Sequence, residues 1–214
     1  METLSSEPVV FEVLDLDFVW QTFDPFLFCV HHRDAYPAGN ERMAPQVSLS
    51  GRKLGMDFSG TDGWSMYHGR EVPGFPRHPH RGFETVSIVH TGYVDHSDSL
   101  GATARIGPGD VQWMTAGRGI CHAEMFPLRR QDAGNPTEFF QIWLNLPARR
   151  KMVEPRFTMF WDQQVPIHKI GKSGAPGVTV QTIAGSLGHQ APPPPPQDSW
   201  ASEPGADVAM WVHY

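Results

Sequence analysis

Two cysteines, Cys29 and Cys121, are all that 214 residues contain. They cannot build the disulfide framework of a small secreted scaffold, so a reduced, intracellular chain placed in the cytoplasm is expected. No apolar run reaches the roughly eighteen residues a membrane-spanning helix needs, so no membrane partner is expected. The stretch 1–10 is acidic and lacks the basic-then-apolar order of a secretory leader. A basic excess is missing as well: 17 Lys and Arg stand against 23 Asp and Glu, for a net charge of −6. That balance removes the general attraction to nucleic acid, and direct nucleic-acid binding is not expected. Also absent are the G-x-S-x-G elbow, the Walker A loop and the dinucleotide-binding glycine pattern, which excludes the commonest hydrolase, nucleotide-binding and dehydrogenase readings.

What is present in quantity is punctuation. Gly (21) and Pro (20) are frequent, and aromatics make up 11%. Many turns among short apolar runs predict an all-β chain, an antiparallel sandwich or barrel, in place of a helical bundle. Strands are expected at 9–13, 26–30, 85–90, 102–106, 111–114, 120–125, 139–144, 178–183 and 207–212. Loops and turns are expected at 34–45, 60–64, 91–92, 95–101, 107–110 and 116–119. The five consecutive prolines within 191–197 cannot enter a sheet interior and predict an extended surface loop.

The chemistry sits in two short pieces, His78-Pro79-His80 and His122-Ala123-Glu124. Side chains at i and i+2 share one face of a strand. Two neighbouring strands would therefore aim three imidazoles and one carboxylate at a common point. One His-x-His pair is weak evidence. Two such pairs in β-patterned segments point to a mononuclear metal site with positions left open for substrate. Imidazoles with one carboxylate and no thiolate suit Fe, Mn, Co, Ni, Cu or Zn. Pro79 removes a ladder donor and suits a bulged or edge strand. Cys121 neighbours His122 but should face the other way, into the core. Glu84, four residues past His80, is expected on the face of His80 as a partner for a ligand imidazole. Arg81 and Arg118 are candidates to orient an acidic group. Trp113 and Phe83 are read as core or pocket wall, and His90 and His96 as surface residues.

These segments resemble a known family. His78-Pro79-His80-Arg81-Gly82-Phe83-Glu84-Thr85-Val86, then residues 109–120, then His122-Ala123-Glu124-Met125, are similar to the signature of pirins, members of the cupin superfamily. Residues 24–27, 141–146 and 151–155 resemble pirin segments too, and 57–60 and 66–69 resemble bacterial-type members. The resemblance implies a bicupin, two double-stranded β-helix (jelly-roll) barrels in tandem. Residues 1–155 would form a complete N-terminal metal-binding barrel and 156–214 a partial, truncated C-terminal one. It implies one metal, Fe(II) as the leading choice, held by His78, His80, His122 and Glu124. It also implies quercetin 2,3-dioxygenase activity, the opening of a flavonol with O₂, with Glu124 as catalytic base and Glu84 a weaker candidate. The alternative it carries is a non-catalytic, iron-dependent regulator that acts through a protein partner, nuclear in that case.

Overall fold

The structure, a computed structural model, describes residues 17–171 and 177–214. The strand expected at 9–13 lies outside them. Thirteen strands run through the described residues. They are β1 (Val19–Trp20), β2 (Phe26–Tyr36), β3 (Gly74–His80), β4 (Phe83–Thr91), β5 (Val94–Asp98), β6 (Thr103–Ile106) and β7 (Val111–Thr115). They continue with β8 (Ile120–Met125), β9 (Asn135–Asn145), β10 (Arg156–Phe160), β11 (Ile167–Ile170), β12 (Val178–Ala184) and β13 (Met210–His213).

β1, β2, β9, β4, β7 and β10 make, in that spatial order, a six-stranded sheet, while β3, β8, β5 and β6 make a four-stranded one. The two lie face to face, as in the cupin jelly roll, and their ladders do not close into one ring. Alternation along the strands decides what each face holds. Phe139, Gln141 and Trp143 of β9 and Ser87 of β4 point between the sheets, where Gln141 and Ser87 meet Glu124 of β8. Val86, Ile88, Phe140 and Leu144 point the other way. That outer face is covered by β11–β12–β13, a third sheet that lays Ile183, Ala184 and Met210 on it. Burying the side chains of Ile183 and Met210 stabilises the contact by roughly 2 kcal/mol each. Covered on both faces, β7 is buried at all of its positions.

Several expectations change at this level. Residues 95–101, rich in Asp and Ser, are not a turn throughout: β5 occupies Val94–Asp98, and only the residues after it turn. Pairing with β6 on one side and β8 on the other overrides the local turn preference. The loop expected from 34 begins after Tyr36, the last residue of β2. β10 starts at Arg156 and pairs with β7, so chain beyond residue 155 completes the larger sheet. The prolines at 192–196 lie outside the strands, with Pro196 buried.

Two glycines are required by the backbone. Gly74 has φ +127°, and a Cβ there would lie 2.4 Å from the Glu124 carbonyl oxygen, so only glycine lets β3 approach β8 this closely. Gly82, at φ +78°, turns the chain out of β3 and into the opposite sheet as β4.

Candidate metal centre

β3 is an edge strand, and its ladder to β8 pairs Phe75 with Glu124 and then His78 with His122. Three residues on β3 oppose two on β8 at that step, a bulge that changes which side chains face inward. Beyond it, His78 and His80 point between the sheets together with His122 and Glu124. Pro79 falls opposite Cys121, where its missing N–H costs little at an edge.

The result is a tight cluster. His78 Nε2 lies 3.1 Å from His80 Nε2, and the ligand nitrogens of His78, His80 and His122 lie within 4.8 Å of one another. His122 Nε2 stands 3.7 Å from Glu124 Oε2. Burial, then neighbouring imidazoles, pushes His80 and His122 down to about 3, so both rings are neutral at physiological pH. His78 Nδ1 is 2.9 Å from the Pro76 carbonyl, which can only accept, so Nδ1 carries a proton and Nε2 is the ring atom turned to the cluster. His122 Nε2 is buried with no hydrogen-bond partner. Imidazole nitrogens brought this close need a proton or a cation between them. This donor set fits a divalent transition metal on that ground.

Glu124 is buried and tied from the opposite sheet. Gln141 Nε2 donates to Glu124 Oε2 at 2.9 Å and to Oε1 at 3.1 Å, and Gln141 Oε1 accepts from Trp143 Nε1 at 3.2 Å. The amide holds the carboxylate on the side of the imidazoles. Gln141→Leu removes the donor and is expected to weaken metal binding about 10-fold, as loss of a ligand's supporting hydrogen bond does, with little change in the thermal melt. Calorimetric metal titration checks this.

His78, His80 and Glu124 line a cavity of about 480 Å³ whose other walls are mostly aromatic, among them Phe28, Phe58, Phe75, Phe83 and Trp143, while His122 lies behind them. Phe83 and Trp143 pack at a centroid distance of 4.6 Å, and His80 meets the edge of Trp143 at 5.3 Å. A cavity of similar size, about 490 Å³, opens on the outer face beside β13, away from the imidazoles.

A family model for pirin matches residues 18–144, well over half of the chain. The chain belongs to the pirin family. It is 48% identical over 120 residues to a Pseudomonas aeruginosa protein named, provisionally, as a quercetin 2,3-dioxygenase, a match covering 56% of this chain and 41% of that protein. It is 42% identical over 142 residues to a pirin-like protein of Caulobacter vibrioides, covering 66% of this chain and 47% of that one. Among solved structures, a quercetin 2,3-dioxygenase from Acinetobacter baumannii superposes with a TM-score of 0.59 at 28% identity, over 79% of this chain and 48% of that one. The chain thus spans less than half the length of these pirin relatives.

Within this pirin fold, four expectations are corrected. Glu84 does not face the imidazoles. The turn at Gly82 carries it into the other sheet with its side chain on the outer face, where it accepts from Thr115 Oγ1 at 2.7 Å, Trp113 Nε1 at 3.1 Å and Ser199 Oγ at 2.6 Å. His96 is not a surface residue. It is buried on β5 opposite Glu124, bonded through Nε2 to Asp98 Oδ2 at 2.9 Å and lying 3.4 Å from His122 through Nδ1. His90 is half-buried against Phe140, with Tyr214 Oη 3.1 Å from its Nδ1. Cys121 does face away from the site, yet the outer side of the small sheet is only half covered and so is the thiol. Arg118 pairs with Glu154 on the surface, Arg81 lines the cavity, and Trp113 is fully buried in the core. The residues that sequence reasoning missed are Gln141, Ser87 and the His96-Ser97-Asp98 pair. Only the last carried a signal, the same i, i+2 spacing that marks the four residues of the cluster.

No helix among the described residues is long and apolar enough to cross a membrane.

Proposed function

We propose that His78, His80, His122 and Glu124 hold one divalent transition metal, Fe(II) as the leading choice, and that the chain opens a flavonol with O₂ in the manner of a quercetin 2,3-dioxygenase. The observation that carries this reading is the convergence of three imidazoles and a carboxylate, of which His78, His80 and Glu124 face an aromatic cavity. The relatives named for quercetin dioxygenation support it. A metal bound there supplies Lewis acidity toward the flavonol hydroxyl.

The remaining work falls to side chains. Phe75, Phe83 and Trp143 offer flat apolar surface to the fused rings of a flavonol and exclude water from them. Glu124, held by Gln141, accepts the hydroxyl proton and leaves an electron-rich enolate ready to react with O₂. Proton transfer of this kind contributes roughly 10²–10⁴ in rate, so Glu124→Gln should cost at least the lower figure.

Metal analysis of the purified chain, followed by anaerobic iron loading and O₂ uptake with quercetin, tests the proposal. The expected result is close to one metal per chain with O₂ uptake that needs both iron and quercetin. Metal without uptake would favour the regulatory reading, in which the chain acts through a protein partner. A folded chain that takes up no metal would overturn both.

A further inference from the structure

His122 differs from the other two imidazoles in what stands behind it. Its Nδ1 faces His96 Nδ1 at 3.4 Å, and His96 Nε2 faces Asp98 Oδ2 at 2.9 Å. The side chains of His96 and Asp98 are fully buried. β5 brings them there by register, with His96 opposite Glu124 and Asp98 opposite His122. Phe157 of β10 stacks on the His96 ring at 4.4 Å and holds its plane.

The proton positions follow from what each atom can do. Asp98 Oδ1 accepts from the Leu100 and Ala102 backbone N–H groups at 2.8 and 3.1 Å, which leaves Oδ2 as an acceptor for His96. His96 must then carry its proton on Nε2, and its Nδ1 is an acceptor. His122 Nδ1 is the only donor that fits opposite it, so the His122 proton is on Nδ1. The atom left bare is His122 Nε2, the one that is buried without a partner and turned toward His78 and His80.

We infer that His96 and Asp98 are positioning residues for His122: the pair holds its imidazole in the Nδ1–H form and orients the ring so that the Nε2 lone pair faces the metal position. The inference rests on the metal reading above. It assigns a role to a buried pair that neither lines the aromatic cavity nor supplies a ligand. Partners of this kind behind a ligating imidazole are worth about 10–100-fold in metal affinity.

Two variants separate this role from packing. His96→Phe keeps an aromatic ring on Phe157 but cannot accept from His122. Asp98→Asn keeps an oxygen on the Leu100 and Ala102 N–H groups and turns its amide N–H toward His96. That reverses the His96 tautomer and forces the His122 proton onto Nε2. Long-range ¹H–¹⁵N correlation spectra of the imidazoles in the metal-free protein read the tautomer directly, and Co(II) titration followed by visible absorption reads the affinity.

The expected result is an Nδ1–H His122 in the unsubstituted chain, an Nε2–H His122 in Asp98→Asn, and Co(II) binding weakened by about 10–100-fold in both variants while the metal-free Asp98→Asn chain stays folded. An Nε2–H His122 in the unsubstituted chain overturns the inference, because a charged His96 would then be the donor. Unchanged Co(II) affinity in Asp98→Asn overturns it as well. Should the unsubstituted chain bind neither Co(II) nor Fe(II), the metal reading fails, and the tautomer spectra still decide whether the pair sets the His122 proton.

Discussion

His80→Ala is expected to leave the purified chain with under about a tenth of a metal equivalent where the unsubstituted chain holds close to one. Metal binding to four protein ligands is worth roughly 10–16 kcal/mol in structural zinc sites, so one ligand accounts for about 3 kcal/mol, or two orders of magnitude in Kd. His80 is the cleanest of the four to remove. Its ring touches Phe83 and Trp143, and its one hydrogen-bonding contact among side chains is His78 Nε2. Alanine there orphans no fully buried polar partner, unlike His122, whose loss would leave His96 Nδ1 without its donor. The apparent melting temperature of the metal-free variant should stay close to that of the metal-free parent. Emission spectroscopy of metal content after anaerobic iron loading makes the measurement. Stoichiometric iron retained by folded His80→Ala would sink the four-ligand site.

The second large effect lies away from the cavity. Glu84→Ala should destabilise the fold by about 3 kcal/mol, because Thr115, Trp113 and Ser199 would all lose a buried acceptor. At this chain length that lowers the melting temperature by roughly 6–12 °C. The contact spans the molecule: Ser199 follows the proline run, and Glu84 holds that segment against β4 and β7. Glu84 also leaves a mark on the pH dependence. Burial raises its carboxyl from 4.5 to about 7, against the pull of the hydrogen bonds from Ser199, Thr115 and Trp113. Its folded form therefore binds a proton more tightly than its unfolded form. The associated stability is fully present below pH 4.5 and is lost as pH rises through about 7. The loss is on the order of 3 kcal/mol, at about 1.4 kcal/mol per unit.

His80 and His122 act in the opposite sense in the metal-free chain. Depressed to about 3, they make the folded state more stable as pH rises toward 6.5. The Glu84 contribution is thus read as a difference. Urea unfolding of the parent and of Glu84→Gln between pH 4.5 and 8 should give curves whose separation shifts in favour of the glutamine with rising pH. A separation that is flat across this range would show that Glu84 is not titrating there.

The cluster was legible because a strand has a period of two and because imidazoles and carboxylates paired at that spacing are the side chains that can hold a metal. His78, His80, His122 and Glu124 are brought together by the two strands that their spacing predicts. The same rule misplaced Glu84, since it holds only within one strand, and the turn at Gly82 separates His80 from Glu84. His96 was hidden for a different reason. Asp95, Ser97, Asp98 and Ser99 make that stretch look like a turn, and only pairing on both edges of β5 makes it a strand. Cys121 was placed on the correct face, but how far that face is covered depends on distant chain.

By itself the amino-acid sequence determined the β architecture, the turns that divide it and the identity of the residues that form the cluster, all of which depend on local periodicity and on residue chemistry. The tertiary structure decided what surrounds them. It brought Gln141 from the opposite sheet to Glu124, set His96 and Asp98 behind His122, and moved Glu84 to a buried contact with Ser199. Those partners stand 17, 26 and 115 residues apart in the chain. No local pattern links residues so distant; the sheet register that pairs them is fixed only when both sheets bury their shared core.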